Sequence, residues 1–295
     1  MTNPLVLLSR DKPALVAAAM LCLVALCAIF GPLFLSGPAT TVNLRLRNFP
    51  PFSLEQGWLF IFGADAIGRS LLARVIIAAR DTMLIALSVV VCSMIVGTAF
   101  GLVAGLLGGR VSGIIMRCAD VLMGFPMLLL ALVVLYLLGS NVPNVILVIA
   151  IARLPIYIRT ARAEVLEVRE RLFVRAARTM GASNWRIIVH HIVPVIFPTI
   201  ITLATLEFAL VMLVESSLSF LGLGIQPPGL TWGMMVSEGR NYLATSWWLA
   251  FWPGLAILLT AVSANRLAAW VRVVVDPRLH WRLAANRTLR RQVAS

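Results

Sequence analysis

Two acidic residues of one long apolar run are the side chains best placed to do chemistry away from water. Glu207 lies about 16 residues into the run that starts near His191, or about 24 Å along a helix axis, with no basic residue within one turn. Glu215 lies at the end of the same run. An ionisable group in such surroundings needs a partner. For Glu207 the partner is expected to be another subunit, a water-filled cavity, a polar group or a cation on a substrate. Glu215 suits a structural hydrogen bond as well as it suits a role in gating or in lining the pore.

The chain lacks the residue sets typical of catalytic centres. A Walker A loop needs a glycine-rich stretch ending in Lys, but the single lysine, Lys12, follows Arg10 and Asp11. No Ser-His-Asp or H-E-x-x-H arrangement is present, and the three histidines and four cysteines have no metal-ligand spacing. We therefore predict no catalytic residue, no metal site and no cofactor.

Composition indicates a membrane protein. The 295 residues are 60% hydrophobic and only 13% charged, against about 25% charged in soluble domains. The net charge of +13 comes almost wholly from arginines that lie just beyond apolar stretches. This pattern is typical of a chain in contact with membrane lipid rather than nucleic acid.

Six apolar stretches predict an all-α polytopic membrane protein, since a bilayer core of about 30 Å needs about 20 helical residues. The first is too long for a signal peptide and is interpreted as an anchor with its N-terminus inside. The predicted spans cover residues 14–35, 82–109, 113–138, 145–158, 191–213 and 248–270.

The basic residues favour one orientation, with both termini in the cytoplasm. With six spans starting inside, 19 of the 25 basic residues fall on the inner side and six on the outer side, which agrees with the positive-inside rule. Residues 1–13 and the basic tail 271–295 are then cytoplasmic, and residues 82–270 form a five-helix core.

The segments predicted to be external are 36–81 and 216–246. In the first, Leu71, Leu72, Val75, Ile76 and Ala79 share one helical face, which predicts an amphipathic helix at the membrane surface. The second is rich in Gly and Pro.

A basic segment, residues 159–190, interrupts the apolar core on the inner side. Ala161–Thr179 contains no Gly or Pro and predicts a helix, with Glu167 and Arg171 as an i, i+4 pair. Gly181 predicts its end, and Ser183 lies where a new helix cap is expected. Composition alone is compatible with an ordinary solvated loop or with a helix–glycine–helix docking surface.

Other charges near span ends are expected to be structural. Arg117 and Asp120 are an i, i+3 pair that can neutralise each other, and Arg153 can snorkel from an inner helix end.

The segment V-R-A-A-R-T-M-G-A-S and the following I-V-P resemble the EAA loop of ABC importer permeases. Ala176, Ala177, Gly181 and Pro194 occupy matching positions, whereas Arg175 replaces the usual Glu. The resemblance implies a coupling helix that docks on an ATPase subunit.

Further motifs resemble the dipeptide, oligopeptide and nickel permeases, and the C-type (DppC/OppC) member of their permease pair in particular. F-G-A-D-A-I-G-R-S precedes the second span, and L-S-F-L-G-L-G-I-Q-P-P-G-L-T-W-G follows the fifth. M-R-C-A-D-V-L-M-G-F-P and D-P-R-L also fit. The residues carried over from the external motifs are Asp65, Gly68, Arg69, Phe220, Gly222, Gly224, Pro227, Pro228 and Trp232.

The resemblance implies a non-enzymatic permease of the bacterial inner membrane. Its implied partners are a B-type second permease, two cytoplasmic ATPase subunits and an external solute-binding protein. Peptides are the expected cargo, with nickel chelates, glutathione or opines as alternatives. A secondary transporter is the remaining rival class.

Overall fold

Helices dominate the computed structural model, which describes residues 7–9, 11–227 and 229–275. Between the first two long helices, residues 41–70 form short 3₁₀ turns and one isolated antiparallel bridge between Ala64 and Ser70. The α-helices are α1 Lys12–Thr40, α2 Leu71–Leu107, α3 Gly109–Gly124, α4 Met127–Leu138, α5 Val142–Val168, α6 Leu172–Thr179, α7 Asn184–Ile187, α8 Val193–Phe220, α9 Trp232–Gly239 and α10 Trp248–Val275.

Five helical stretches are long and apolar enough to cross a membrane. They are α1, α2, α5, the continuous unit of α7 and α8, and α10, and the bent pair α3–α4 makes a sixth when it is taken as one span. The prediction of an all-α polytopic membrane protein is thus confirmed. The tail from residue 276 onward, including the D-P-R-L motif, lies outside the described residues.

The third predicted span is broken rather than continuous. α3 and α4 meet at an angle of 88°, where Phe125 and Pro126 both have extended backbones. Proline lacks the N–H of a helical hydrogen bond and disfavours helix at the residue before it. The prediction of one helix over 113–138 is therefore wrong at this point.

The predicted amphipathic surface helix is also wrong, because Leu71 begins the 37-residue helix α2. No Gly or Pro interrupts the sequence between Leu71 and Val96, so nothing ends the helix after its first turns. Its apolar face is covered by the rest of the chain, with Leu71 and Ala79 buried. Since α1 continues to Thr40, the connection covers 41–70 rather than 36–81.

The fourth span is longer than predicted, since α5 covers 27 residues. The helix expected over Ala161–Thr179 divides at residues 169–171. There the Arg169 guanidinium donates to the carbonyl of Gly105 at 2.9 Å. This tertiary contact coincides with the turn, where packing overrides the local helix propensity.

A stripe of three glycines holds α2 tightly against α5. A Cβ atom on Gly97, Gly101 or Gly105 would lie 2.6 Å from the side chain of Tyr157, Ala161 or Val165, respectively. Small residues at this spacing allow two membrane helices to approach closely. The i, i+4, i+8 spacing of these glycines is a sequence signal of this close approach.

Two groups of turns lie at opposite ends of the helices. Residues 41–70 and 221–247 are together called the connection end. They are held close to each other where the indole of Trp248, the residue directly after the second segment, donates to the Ala64 carbonyl at 3.4 Å. Residues 169–192, called the central segment, lie at the other end, beside Gly105 near the end of α2.

Candidate functional site

The central segment is a helix–turn–helix whose turn is fixed by backbone bonds. Gly181 has φ +83°, a conformation that favours glycine. The N–H groups of Gly181 and Ala182 donate to the carbonyls of Arg178 and Ala177 at 3.1 Å each, which closes α6 as a Schellman motif. Ser183 then caps α7 by accepting from the N–H of Arg186. The predicted stop and cap are confirmed.

Apolar side chains of the central segment face outward. Leu172, Met180 and Trp185 are 83%, 87% and 72% exposed. In α6 and α7 only Val174 and Ile187 are buried, so each helix is held by one anchor. Exposed apolar groups clustered in this way mark interaction sites.

The residues carried over from the family motif lie on or beside this surface. Arg175, Ala176 and Gly181 are exposed and Ala177 is half-buried. The i, i+4 pair of Glu167 and Arg171 forms at 2.8 Å as predicted, at the border of the segment.

A π turn over residues 188–192 leads into α8, and Pro194 follows it at the start of that helix. Proline has no N–H to donate and its ring crowds the carbonyl of the preceding turn. The wider π turn removes one regular hydrogen bond at this point, so Pro194 is accommodated within the continuous helical stretch Asn184–Phe220.

The structure supplies the partner of Glu207 from within the chain. The Arg153 guanidinium donates from Nε to Oε2 and from Nη2 to Oε1 of Glu207. The Glu207 side chain is 4% exposed and that of Arg153 is 22% exposed. The expectation that Arg153 snorkels from a helix end is wrong, because it reaches across to α8 instead.

Asp120 also has a different partner from the one predicted. It accepts from Arg159 of α5 rather than from Arg117 on its own helix, and both side chains of this pair are exposed. Cross-helix geometry thus replaces the expected i, i+3 pair.

Glu215 is buried at the connection end and organises the loop after α8. Its Oε1 accepts from the hydroxyls of Ser219 at 2.8 Å and Thr231 at 3.0 Å. Among the described residues its Oε2 has no hydrogen-bond partner. Thr231 also caps α9 by accepting from the N–H of Met234.

The loop that follows Glu215 is closely packed. A Cβ atom on Gly224 would lie 1.9 Å from Ser219 Oγ. Gly222 has φ +80°, and Trp232 is buried, with its indole donating to the Val75 carbonyl at 2.8 Å.

The remaining motif residues of this loop are less enclosed. Arg240 lies over the ring of Phe220, with its guanidinium carbon 5.0 Å from the ring centroid. Pro227 is exposed and Pro228 lies outside the described residues.

Asp65, Gly68 and Arg69 form one tight turn, as the motif suggests. Asp65 Oδ1 accepts from the backbone N–H groups of Ile67 and Arg69, and Oδ2 accepts from Arg69 Nε at 2.6 Å. A Cβ atom on Gly68 would lie 1.8 Å from the carbonyl oxygen of Asn43, so only glycine fits.

Burial alone would raise the pKa of Asp65, but its hydrogen bonds and the charges of Arg74 and Arg69 outweigh that cost, and the pKa is lowered.

Arg74 joins this turn to α9 and was missed by sequence reasoning. Its buried guanidinium donates to Asp65 Oδ2 and, at 3.0 Å, to Oε2 of Glu238. These charges border a cavity of about 330 Å³ that is also lined by Tyr242 and Leu249. The 164-residue separation of Arg74 and Glu238 gives no local sequence signal.

Sequence comparison identifies the class of protein that this architecture belongs to. Residues 97–281 match the family described as "Binding-protein-dependent transport system inner membrane component". The chain belongs to this family, and it is a permease subunit of an ABC importer rather than an enzyme.

Individual relatives cover nearly the whole chain. The probable D,D-dipeptide transport system permease protein DdpC of Escherichia coli strain K12 is 38% identical over 93% of this chain and 91% of its own length. The di/tripeptide transport system permease protein DppC of Pseudomonas aeruginosa strain UCBPP-PA14 is 38% identical over 92% and 90%. The nickel transport system permease protein NikC of E. coli strain K12 is 34% identical over 89% and 93%. The predicted dipeptide/nickel type is therefore confirmed.

Proposed function

We propose that the chain is the C-type permease of an importer for peptides or similarly small solutes. It forms the pore with a B-type permease and is driven by two cytoplasmic ATPase subunits. An external solute-binding protein delivers the cargo. The exposed helix–turn–helix of the central segment is the observation that carries this proposal, since the chain has no P-loop of its own.

The arginine distribution supports a place in the bacterial cytoplasmic membrane with both termini inside. Arginines are dense from Arg159 to Arg186, at the end with the central segment. At the connection end, Arg69 and Arg74 are neutralised by Asp65 and Glu238. The positive-inside rule then favours a cytoplasmic central segment and an external connection end.

The central segment acts as the coupling helix in this proposal. Leu172, Met180 and Trp185 supply the apolar contact, and Arg175 and Gly181 lie on the same exposed element. A groove on the ATPase would cover these side chains, and its motion would reach α5 and α8 through the segment. The central segment would thus pass a movement between two conformations of the complex to the spans, without taking part in a chemical step.

The connection end is the proposed docking surface for the binding protein. It offers the exposed residues Leu221 and Trp58, and it contains the cavity that Arg74 helps to line. Its buried bonds keep this surface in one shape, and a preformed surface lowers the ordering cost of binding.

Glu207 and Glu215 remain the proposed gate residues. Arg153 occupies both carboxylate oxygens of Glu207, and two hydroxyls bind Glu215. Both acids therefore fit a role in fixing helix and loop positions during gating better than one in binding a cationic substrate.

Peptides are the favoured cargo because two of the relatives are named as dipeptide or di/tripeptide permeases. A nickel chelate is the alternative suggested by the relative named as a nickel permease, and glutathione or opines follow from the wider resemblance. The external binding protein would select among them.

Assembly tests the central-segment assignment. The tagged chain, co-expressed with the proposed second permease and ATPase subunits, should co-purify with them. Trp185→Glu should lose the ATPase subunits, because a charge replaces an exposed apolar contact. Trp58→Glu is the matched control: this tryptophan is also exposed but lies at the connection end. Equal loss in both variants would count against the assignment.

Transport tests the function itself. Proteoliposomes with the full complex should take up peptide only when ATP and a loaded binding protein are present. Uptake by the purified chain alone, without ATP, would instead support the secondary-transporter alternative.

A further inference from the structure

The ion pair between Arg153 and Glu207 joins the two helices that flank the central segment. Arg153 lies 15 residues before Val168, the end of α5, or about 22 Å along that helix. Glu207 lies 14 residues after Val193, the start of α8, or about 21 Å along it. The pair thus closes a hairpin whose tip is the central segment.

The two hydrogen bonds between Arg153 and Glu207 fix the rotation of α5 relative to α8 as well as the distance between the two helices. Two parallel N–H···O bonds between Arg and a carboxylate also constrain the rotation of one helix about the other. A buried ion pair adds little net stability over packed apolar residues, because both charges must leave water. The presence of this ion pair in a span is therefore better explained by its effect on geometry: it permits only one register of α5 against α8.

The other polar contacts of α5 described below reach α3 and do not hold α5 against α8. Arg159 reaches Asp120 on α3, and Arg162 reaches the Ser112 hydroxyl at 2.9 Å on the same helix. The Arg159–Asp120 pair is exposed on both sides. Among the ion pairs of the described residues, only Arg153–Glu207 links α5 to α8.

We infer that the Arg153–Glu207 pair is a register pin that makes α5 and α8 move as one body when the central segment is displaced. The two are positioning residues for energy coupling and need not touch the substrate. This inference rests on the proposed function, since it requires that force arrive at the central segment.

Paired substitutions separate coupling from folding. In the reconstituted complex, Arg153→Met with Glu207→Leu should keep the melting temperature, because apolar partners replace both charges. Substrate transported per ATP should fall at least tenfold. The exchanged pair, Arg153→Glu with Glu207→Arg, should recover most of the ratio. Wild-type coupling by the double apolar variant would overturn the inference.

Glu207→Gln distinguishes the pin from a pore-lining role. Loss of coupling for neutral and cationic peptides alike supports the pin. Loss confined to cationic peptides contradicts it and supports direct contact with substrate. Asp120→Asn is the matched control, because it breaks an exposed ion pair of the same helix α5, and it should leave the ratio unchanged.

If the variants do not assemble, a distance measurement on the complex with Arg153 and Glu207 unchanged tests whether α5 and α8 move as one body. Spin labels at Ile156 on α5 and Leu210 on α8, both exposed, are introduced into a cysteine-free complex. Their distance distribution should be the same in the nucleotide-free and ATP-bound states, and a shift between the states would reject rigid coupled motion. If the wild-type complex shows no ATP-dependent uptake, the proposed function fails instead, so the two failures are distinguishable.

Discussion

At the connection end, the charges of Asp65 and Arg74 are buried and paired within the chain, whereas the apolar groups exposed at the central segment lie on helices with one buried anchor each. Asp65, Arg74 and Glu238 form one network around a turn that only glycine at position 68 permits. By contrast, Leu172 and Met180 have little of their surface covered by the chain. The connection end is thus held by its own buried network beneath the exposed surface, whereas the central segment has the character of half an interface.

The comparison also shows where sequence departures are tolerated. A changed side chain in a self-contained network affects the fold directly, because buried charges lose their partners. A changed side chain on an open surface affects only the complex with the partner. Arg175, which replaces the usual Glu of the family motif, lies on the open surface. Substitutions in the buried network of the connection end should therefore lower the stability of the chain, whereas substitutions on the central segment should weaken assembly with the partner.

Arg74→Met should have the largest effect on stability. It leaves Asp65 buried without its second cation and frees Glu238, and breaking a buried pair typically costs about 3–5 kcal/mol. Thermal unfolding of the purified chain in detergent measures the loss. Arg69→Met is the control, because this partly exposed side chain makes one ion pair with Asp65, and it should cost about 1 kcal/mol or less. Equal losses would contradict a buried network centred on Arg74.

Thr231→Val should have an intermediate effect at the same end. It removes a hydrogen bond to Glu215 and the cap of α9, which together are worth about 1–2 kcal/mol. Thermal unfolding again measures the change. Thr245→Val is the control, since that exposed hydroxyl bonds only its own turn and its loss should leave the melting temperature nearly unchanged.

Acidification should weaken the connection end. Because the folded-state pKa of Asp65 is lowered, the folded chain binds fewer protons than the unfolded chain near the ordinary aspartate value of about 3.9. The stabilisation is complete above that value and is lost as pH falls through the lowered pKa. The melting temperature should thus fall more steeply below about pH 4 in wild type than in Asp65→Asn. Parallel curves would assign the acid sensitivity to other groups.

Local signals in the sequence predicted much of the architecture. Long apolar runs predicted the spans because each helix must satisfy its own backbone in a bilayer. Gly181 and Ser183 predicted the turn of the central segment because helix ends depend on a few neighbouring residues. Pro126 is the local signal for the break between α3 and α4, although the apolar run around it continues on both sides and by itself predicts one span.

Contacts between distant residues could not be predicted in this way. Arg153 and Glu207 are 54 residues apart, and their pairing depends on how α5 and α8 rotate and pack. The same holds for Arg74 and Glu238. A local pattern such as Arg117 and Asp120 suggested a neighbouring partner, whereas helix packing brought Arg159 closer. The spacing of Gly97, Gly101 and Gly105 was the one available signal of close packing.

Arg175→Glu should have the smallest effect, and it tests the open end alone. Arg175 is exposed on α6 and forms no ion pair with a described residue, so thermal unfolding of the chain should change by less than about 0.5 kcal/mol. If the partner groove has adapted to a cation, the charge reversal should weaken ATPase binding by about fivefold at most, as for an exposed pair. Added salt should then reduce the difference between variant and wild type. Tighter binding by Arg175→Glu would instead indicate that the groove still prefers the usual acidic residue.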